Sequence, residues 1–219
     1  MTIDANLYAR VAIFLKLHIH PNIQKEILGK EEGFMIAAPE ISNREIAPGI
    51  SMGPPIIPIA ETENAKIAYI NERFLIQIET SLNNIREVSK KVLLAFESSG
   101  YSISEMVRYC EFNFPEQSLE MPNVVNKLRK MISVSIGSSI GTIFGIELKP
   151  YSFSLSYPET PLSDDWTYIA FAPDPNNPKK TIILRITKRT PTYSEMLGFL
   201  SDIESKIDRV MGLFVGVKI

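Results

Sequence analysis

The chain is poor in the residues that most catalytic and metal sites need. It contains one cysteine, Cys110, and two histidines, His18 and His20. A lone cysteine cannot form an internal disulfide, and this is typical of proteins of the reducing cytoplasm. Ser-His or Cys-His chemistry would have to use one of the two histidines, and no nucleophile-elbow motif accompanies them. This scarcity argues against an enzyme and predicts no cofactor.

Charge of one sign and long apolar runs are also lacking. The formal net charge is only −2, whereas phosphate binding usually leaves a clear Lys/Arg excess, so nucleic acid is not the expected partner. The uncharged run from Met131 to Ile146 is shorter than the roughly 20 residues that span a bilayer. The N-terminal "MTIDANLYAR" lacks the basic-then-apolar design of a signal peptide. These features predict a cytoplasmic protein without membrane contact, and the scarcity of glutamine and cysteine favours a thermophilic source.

Strand and helix patterns follow the same order in both halves of the chain. The first half predicts a strand over 10–20, a helix opened by Pro21, a strand over 33–38, a hairpin around Asn71-Glu72 and a helix to about Ser99. The second half predicts the following elements in the same order: a strand over 105–114, a helix after Pro122, a strand over 151–157, a hairpin around 173–178 and a final helix that starts with the capping box Thr192-Glu195. The last residues, "LFVGVKI", read as a closing strand.

This repetition predicts a duplicated architecture. Residues 73–92 and 181–200 carry the same strand-into-capped-helix pattern, and the alternative is that a common motif occurs twice by chance. The prediction is an α+β fold with a pseudo-duplicated antiparallel sheet and helices packed on one face. Residues 1–104 form the first repeat and residues 105–219 the second, with one shared core.

The element order resembles that of the TATA-binding-protein-like fold. DNA-binding members of that fold imply a basic sheet surface with intercalating aromatic side chains. In this chain the strand positions expected to be exposed are mostly Ser, Thr, Glu and Gln, with isolated Lys16 and Arg185. The resemblance therefore implies a shape and not a function.

The stretch "SVSIGSSIGTIFG" (133–145) predicts a helix-packing surface. Steps of four from Val124 reach Phe144 through apolar residues only, which is the pattern of one helix face. Beside that row runs a row of small residues, Ser133, Gly137, Gly141 and Gly145. Interior glycines weaken a helix by about 1 kcal/mol each relative to alanine, so a closely approaching backbone is expected to compensate. That partner lies within the fold or, as the alternative, in a second subunit across a dimer interface.

An apolar, proline-rich connection is the other unusual feature. Residues 39–64 read as irregular, because the prolines forbid helix and central strand. A long apolar loop is typically functional, so residues 47–59 are expected to be ordered, with some of their isoleucines buried. It predicts either a structural flap or a binding lip, and the candidate lip residues are Ile50, Met52, Pro54, Pro55, Ile56 and Ile57.

Other candidate chemistry has a simpler interpretation. His18 and His20 would lie on one face of the first strand, but with no further histidine and with Lys16 beside them they do not predict a metal site. The sequence therefore predicts a non-catalytic binding or interaction protein, whose partner is another protein or a second copy. Two alternatives stay open, a small-molecule binder or enzyme with a pocket under the 39–64 loop, and nucleic-acid binding on a curved sheet.

Overall fold

The computed structural model describes residues 7–38, 45–47, 50–51, 56–121, 123–131, 152–157 and 163–215. The strands in these ranges are β1 Tyr8–Leu15, β2 Met35–Ile36, β3 Glu45–Ala47, β4 Ile50–Ser51, β5 Ile56–Glu61, β6 Ala65–Ile70, β7 Leu75–Ser81, β8 Val107–Glu120, β9 Phe153–Tyr157, β10 Trp166–Pro173 and β11 Thr181–Thr190. The helices are α1 Pro21–Leu28, α2 Ile85–Ser98, α3 Ile103–Met106, α4 Val124–Met131, α5 Tyr193–Leu200 and α6 Ile203–Val215.

Nine of these strands form one antiparallel sheet in the order β2-β5-β6-β7-β1-β8-β11-β10-β9, and β3 pairs with β4 separately. The order is symmetric about the central pair β1–β8, where Arg10 lies opposite Asn113. Outward from that pair, β7, β6 and β5 on one side match β11, β10 and β9 on the other. The predicted α+β class and the pseudo-duplicated antiparallel sheet are confirmed. The division at residues 104 and 105, which falls within α3, stays a prediction.

One face of the sheet carries the main core. Ala9, Val11, Ile13 and Leu15 of β1 all belong to a single buried cluster. The same cluster includes one side of each long helix, for example Phe96 of α2. Alternate residues of a strand point to opposite faces, so this helix-covered side is one of two distinct surfaces. We call it the helix face.

The opposite surface begins with Tyr8, Arg10, Ala12 and Phe14 of the same strand. A small second buried cluster of Ala12, Ile70 and Leu75, with Phe14 packed against it, lies on this side. No helix residue in the described ranges belongs to that cluster. We call this surface the polar face, because its centre carries Arg10, Glu79, Glu111 and Arg189.

The start of the final helix agrees with its predicted capping box. Thr192 Oγ1 accepts a hydrogen bond from the backbone N–H of Glu195 at 3.2 Å, and it donates to Glu195 Oε1 at 3.1 Å. The first of these contacts satisfies a backbone donor that a helix start leaves unpaired. Apolar residues recur at helical spacing from 196 to 211, which predicts a buried stripe, and all of its members are buried: Met196, Leu200, Ile203, Ile207 and Met211.

Two predictions at the C-terminus are wrong. The final helix is divided at Ser201 and Asp202, where Ser201 Oγ donates to the Gly198 carbonyl and Asp202 pairs with Lys206 at 2.6 Å. Short polar side chains bond to nearby backbone and favour helix ends, so this pair ends α5 and starts α6. The sequence predicts a closing strand from Leu213, but α6 continues to Val215, so the prediction is also wrong for residues 213–215.

The proline-rich connection is also more regular than predicted. Residues 56–61 form β5, although Pro58 lies inside it. The strand pairs along its length with β6, whereas on its outer side β2 reaches only Ala60 and Glu61. Pro58 therefore needs no outward hydrogen bond to a strand of the described part, and the pairing register shifts just after it. Proline is tolerated at such edges and bulges.

Among the described helices, none combines the length and the apolarity that crossing a lipid bilayer requires.

Candidate functional site

Only some of the predicted helix-packing residues lie in the part of the chain that the structure describes. Val124 and Leu128, which start the apolar row, are fully buried in the main core. The small-residue row lies outside the described residues: Ser133, Gly137, Gly141 and Gly145. Its role in packing or in a dimer interface stays a prediction.

The candidate binding lip does not form one described surface. Met52, Pro54 and Pro55 lie outside the described residues, and Ile50 belongs to β4. Ile56 is exposed and Ile57 half-buried at the start of β5, while the neighbouring Ile59 is completely buried. The expectation that some isoleucines are buried holds for Ile59. The binding role of the lip stays a prediction.

The two histidines do not lie on a strand, contrary to the sequence prediction. β1 ends at Leu15, and His20 is the residue before α1, where its Nδ1 accepts a hydrogen bond from the Asn22 N–H. His18 Nε2 lies 2.7 Å from Asn71 Oδ1. β1 ends before Pro21, because both strands that pair with it begin opposite its last residues, β7 at Leu75 and β8 at Val107. Pro21 then starts α1 with its fixed φ. No cluster of three metal-ligating side chains occurs within the described residues.

The polar face instead brings together charged side chains from strands far apart in the chain. In the first half, Arg10 of β1 pairs with Glu79 of β7, with Nη2 and Oε1 at 2.7 Å. Gln77 Nε2 donates to the same carboxylate oxygen at 2.7 Å, and Arg10 Nη2 donates to the Tyr8 hydroxyl at 3.1 Å. Glu79 therefore accepts from both Arg10 and Gln77, and Arg10 donates to both Glu79 and Tyr8.

The second half holds a matching pair with the charges exchanged. Here the central strand β8 carries the acid, Glu111, and the outer strand β11 carries the base, Arg189, with Nη2 and Oε2 at 2.9 Å. Asn113 Nδ2 donates to Glu111 Oε1 at 2.9 Å, and Thr187 Oγ1 donates to Asn113 Oδ1 at 3.0 Å. Both charged side chains of this pair are less than one-fifth exposed.

A ladder of rings and guanidinium groups runs outward from the second pair. Its members, in spatial order, are Phe14, Tyr109, Arg189, Trp166, Tyr168 and Arg185. The Phe14 and Tyr109 rings stack with centroids 4.2 Å apart, and those of Trp166 and Tyr168 with centroids 5.7 Å apart. The Arg189 guanidinium carbon lies 4.6 Å from the Tyr109 centroid and 5.6 Å from the Trp166 centroid. Arg185 extends the series over Tyr168 at 5.9 Å. We call these six side chains the cation–π ladder.

The ladder ends beside a shallow concavity of about 310 Å³. Tyr168 and Arg185 form part of its wall, together with Ser154 and Ala170. At the inner side, Trp166 Nε1 donates to Ser156 Oγ at 2.8 Å and so fixes the indole. The arrangement offers planar, polarisable surfaces next to a depression, held on paired strands.

Sequence reasoning did not find this site. It placed Arg185 on the sheet correctly but treated it as isolated, and it placed Lys16 on a strand that ends one residue earlier. The sequence does carry one relevant signal. Along their strands, polar-face positions alternate with helix-face positions, and Arg189, Tyr109 and Trp166 occupy the former. These residues meet because their strands are neighbours in the sheet. No local sequence pattern shows which strands are neighbours.

Titration of Tyr8 gives a direct test of the first ion-pair cluster. Burial, and next the hydrogen bond with Glu79, raise the pKa of Tyr8 to about 12. A tyrosine in the unfolded chain ionises near pH 10. The contribution of Tyr8 to the stability of the folded protein is therefore complete below pH 10 and is lost as the pH rises toward 12. We expect Tyr8→Phe to flatten the fall of the melting temperature between pH 10 and pH 12. In the same pH range, the absorbance change at 295 nm should be smaller in the variant by the contribution of one tyrosine. Equal slopes for both proteins would contradict this assignment.

Comparison with known proteins gives no relative: no family model, no curated protein sequence and no solved structure matches this chain.

Proposed function

We propose that this chain is a cytoplasmic, non-catalytic binding protein that docks a protein partner on the polar face of its sheet. The observation that carries the proposal is the cation–π ladder from Phe14 to Arg185. Six planar side chains from four neighbouring strands form one continuous strip there. The lone buried Cys110 supports a reducing compartment.

The residue types of the ladder favour a protein as the partner. Tyr, Trp and Arg are the side chains most enriched at the energetic centres of protein interfaces. They give a large contact area, and here their rotamers are already fixed by stacking and by ion pairs. A surface that is ordered before binding loses less entropy on association.

The charge pattern of the same face favours a protein over a nucleic acid. Arg10 is paired with Glu79 and Arg189 with Glu111, so the centre of the face has no excess of positive charge. Phosphate backbones are bound by basic groups that release counterions. A carboxylate beside each central arginine opposes such binding.

Site-specific photo-crosslinking tests the proposal. A benzophenone amino acid at Arg185, the exposed outermost member of the ladder, is expected to cross-link a protein of defined mass in the source cell. The same probe at Lys90, exposed on α2, serves as the control and is expected to give no such product. Equal products from both positions, or a nucleic-acid adduct at Arg185, would contradict the proposal.

Substitution then identifies the contact. Tyr168→Ala is expected to weaken binding of the cross-linked partner about thirty-fold, which corresponds to about 2 kcal/mol for a hot-spot residue. Tyr157→Ala removes an exposed ring from the adjoining strand β9. Its neighbour Ser156 bonds Trp166 on the polar face, so Tyr157 projects from the opposite one. We expect this control to bind the partner like the unmodified protein.

A further inference from the structure

A second concavity, of about 690 Å³, lies where β1 ends and β8 begins. It is separate from the depression at the outer end of the ladder. The side chains and backbone that line it are Phe14, Leu15, Lys16, Glu72, Arg73, Phe74, Arg108 and Tyr109. Its volume lies within the range of about 300–1,000 Å³ that is typical of small-molecule sites.

Positive charge dominates this concavity. Lys16, Arg73 and Arg108 line it against one carboxylate, Glu72, so the three cations and one anion leave a net charge of +2. Lys16 Nζ donates to the Glu105 carbonyl at 3.0 Å, which fixes it beside the opening. None of the three cations forms an ion pair with a carboxylate of the described residues. They are exposed and converge from three separate segments, a suitable arrangement for a multiply charged anion.

Aromatic rings supply the other half of the site. The stacked Phe14–Tyr109 pair lies at one side, and Phe74 lies at the other with 39% of its surface exposed. Phe74 also has φ +49°, a left-handed conformation that is costly for a bulky side chain. Such strain concentrates at binding and catalytic sites. The Phe74 ring packs against His18, with ring centroids 5.6 Å apart, and it nevertheless stays partly exposed beside the concavity.

We propose that this concavity binds a nucleoside phosphate. The base lies against Phe74 and the Phe14–Tyr109 pair, and the phosphate groups lie among Lys16, Arg73 and Arg108. A planar ring and a multiply charged anion are the two properties that this lining recognises, and nucleoside phosphates combine them in one small molecule. The site shares Phe14 and Tyr109 with the cation–π ladder, but its charged side chains lie outside the ladder, and binding there requires no protein partner.

Calorimetric titration of the purified full chain tests the proposal. ATP is expected to bind at one site per chain, whereas adenosine and inorganic tripolyphosphate each bind at least about ten-fold more weakly, because each lacks one half of the recognised chemistry. Tripolyphosphate binding as tightly as ATP would overturn the role of the rings. A single-stranded decanucleotide that binds while ATP does not would overturn the proposal in favour of a nucleic-acid strand.

Matched double variants distinguish ATP binding at this site from a general effect of the protein's charge. Arg73→Gln with Arg108→Gln is expected to weaken ATP binding by at least about ten-fold. The control, Arg86→Gln with Lys90→Gln, removes two exposed positive charges from α2 and is expected to leave the affinity unchanged. Equal losses in both double variants would overturn the site.

Phe74→Gly tests the ring without endangering the fold, because glycine adopts a positive φ freely and the relief of strain offsets the lost ring contacts. We expect this variant to remain folded, as judged by its melting transition, while ATP binding weakens at least about five-fold through lost stacking. Unchanged affinity in the folded variant would overturn the stacking role.

Discussion

Arg189→Glu is expected to lower the free energy of unfolding by about 3 kcal/mol or more. The substitution places a second carboxylate beside Glu111, at a position where both partners of the native pair are less than one-fifth exposed. Tyr109 and Trp166 would also lose the guanidinium that lies between their rings. Urea denaturation followed by circular dichroism measures the loss.

The first half of the sheet carries the same type of ion pair with the charges exchanged, and this suggests a second substitution that restores stability. There the central strand carries Arg10 and the outer strand carries Glu79, in the same type of strand pair. Adding Glu111→Arg to Arg189→Glu reproduces that order in the second half. We expect the double variant to recover about half of the lost stability, because the coupling of neighbouring charges is not additive.

An exposed pair supplies the control for charge reversal. Lys91 and Glu87 are 3.5 Å apart on α2, with side chains about half and nearly three-quarters exposed. Lys91→Glu is therefore expected to cost no more than about 1 kcal/mol. A similar loss at both sites, or a double variant no more stable than Arg189→Glu, would contradict the role assigned to the polar-face pair.

Phe112→Ala is expected to lower the free energy of unfolding by about 3–5 kcal/mol. Phe112 is completely buried in the central strand β8, and its ring centroid lies 5.5 Å from that of Phe199 on α5. Its removal leaves a cavity between sheet and helix that the surrounding strands cannot close, since interiors are packed as densely as crystals. Chemical denaturation gives the value from the midpoint and slope.

Phe153→Ala provides the matched truncation at the edge of the same sheet. Phe153 stacks on Phe171 at 4.9 Å, but it is only half-buried in β9, the last strand of the order. We expect a loss of no more than about 2 kcal/mol, because less apolar area leaves water on folding. If Phe112→Ala does not fold, Phe112→Leu should still cost about 1–2 kcal/mol. Equal losses for the two alanine variants would contradict a core centred on β8.

Local rules were sufficient wherever a signal is carried by residues close in the chain. The turn before β7, the strand β9, the capping box at Thr192 and the buried stripe from Met196 to Met211 all agree with their predictions. Local rules failed at Pro58, because whether a proline is tolerated depends on which side of its strand is paired. They also failed at His18, because β1 ends where its partner strands β7 and β8 begin, and the local alternation does not show where those partners lie.

By itself, the amino-acid sequence determined the class of the fold, the duplicated order of its elements and the buried side of α5 and α6. Periodicity and turn residues act over a few positions, and a sequence displays them directly. The tertiary structure alone decided that Arg10 meets Glu79, that Glu111 meets Arg189 and that rings from β1, β8 and β10 form one ladder. Those contacts join residues as many as 95 positions apart, as in the stacked pair Phe14 and Tyr109, and they follow from the order of strands in the sheet. That order is selected by the burial of the whole core and not by any segment taken alone.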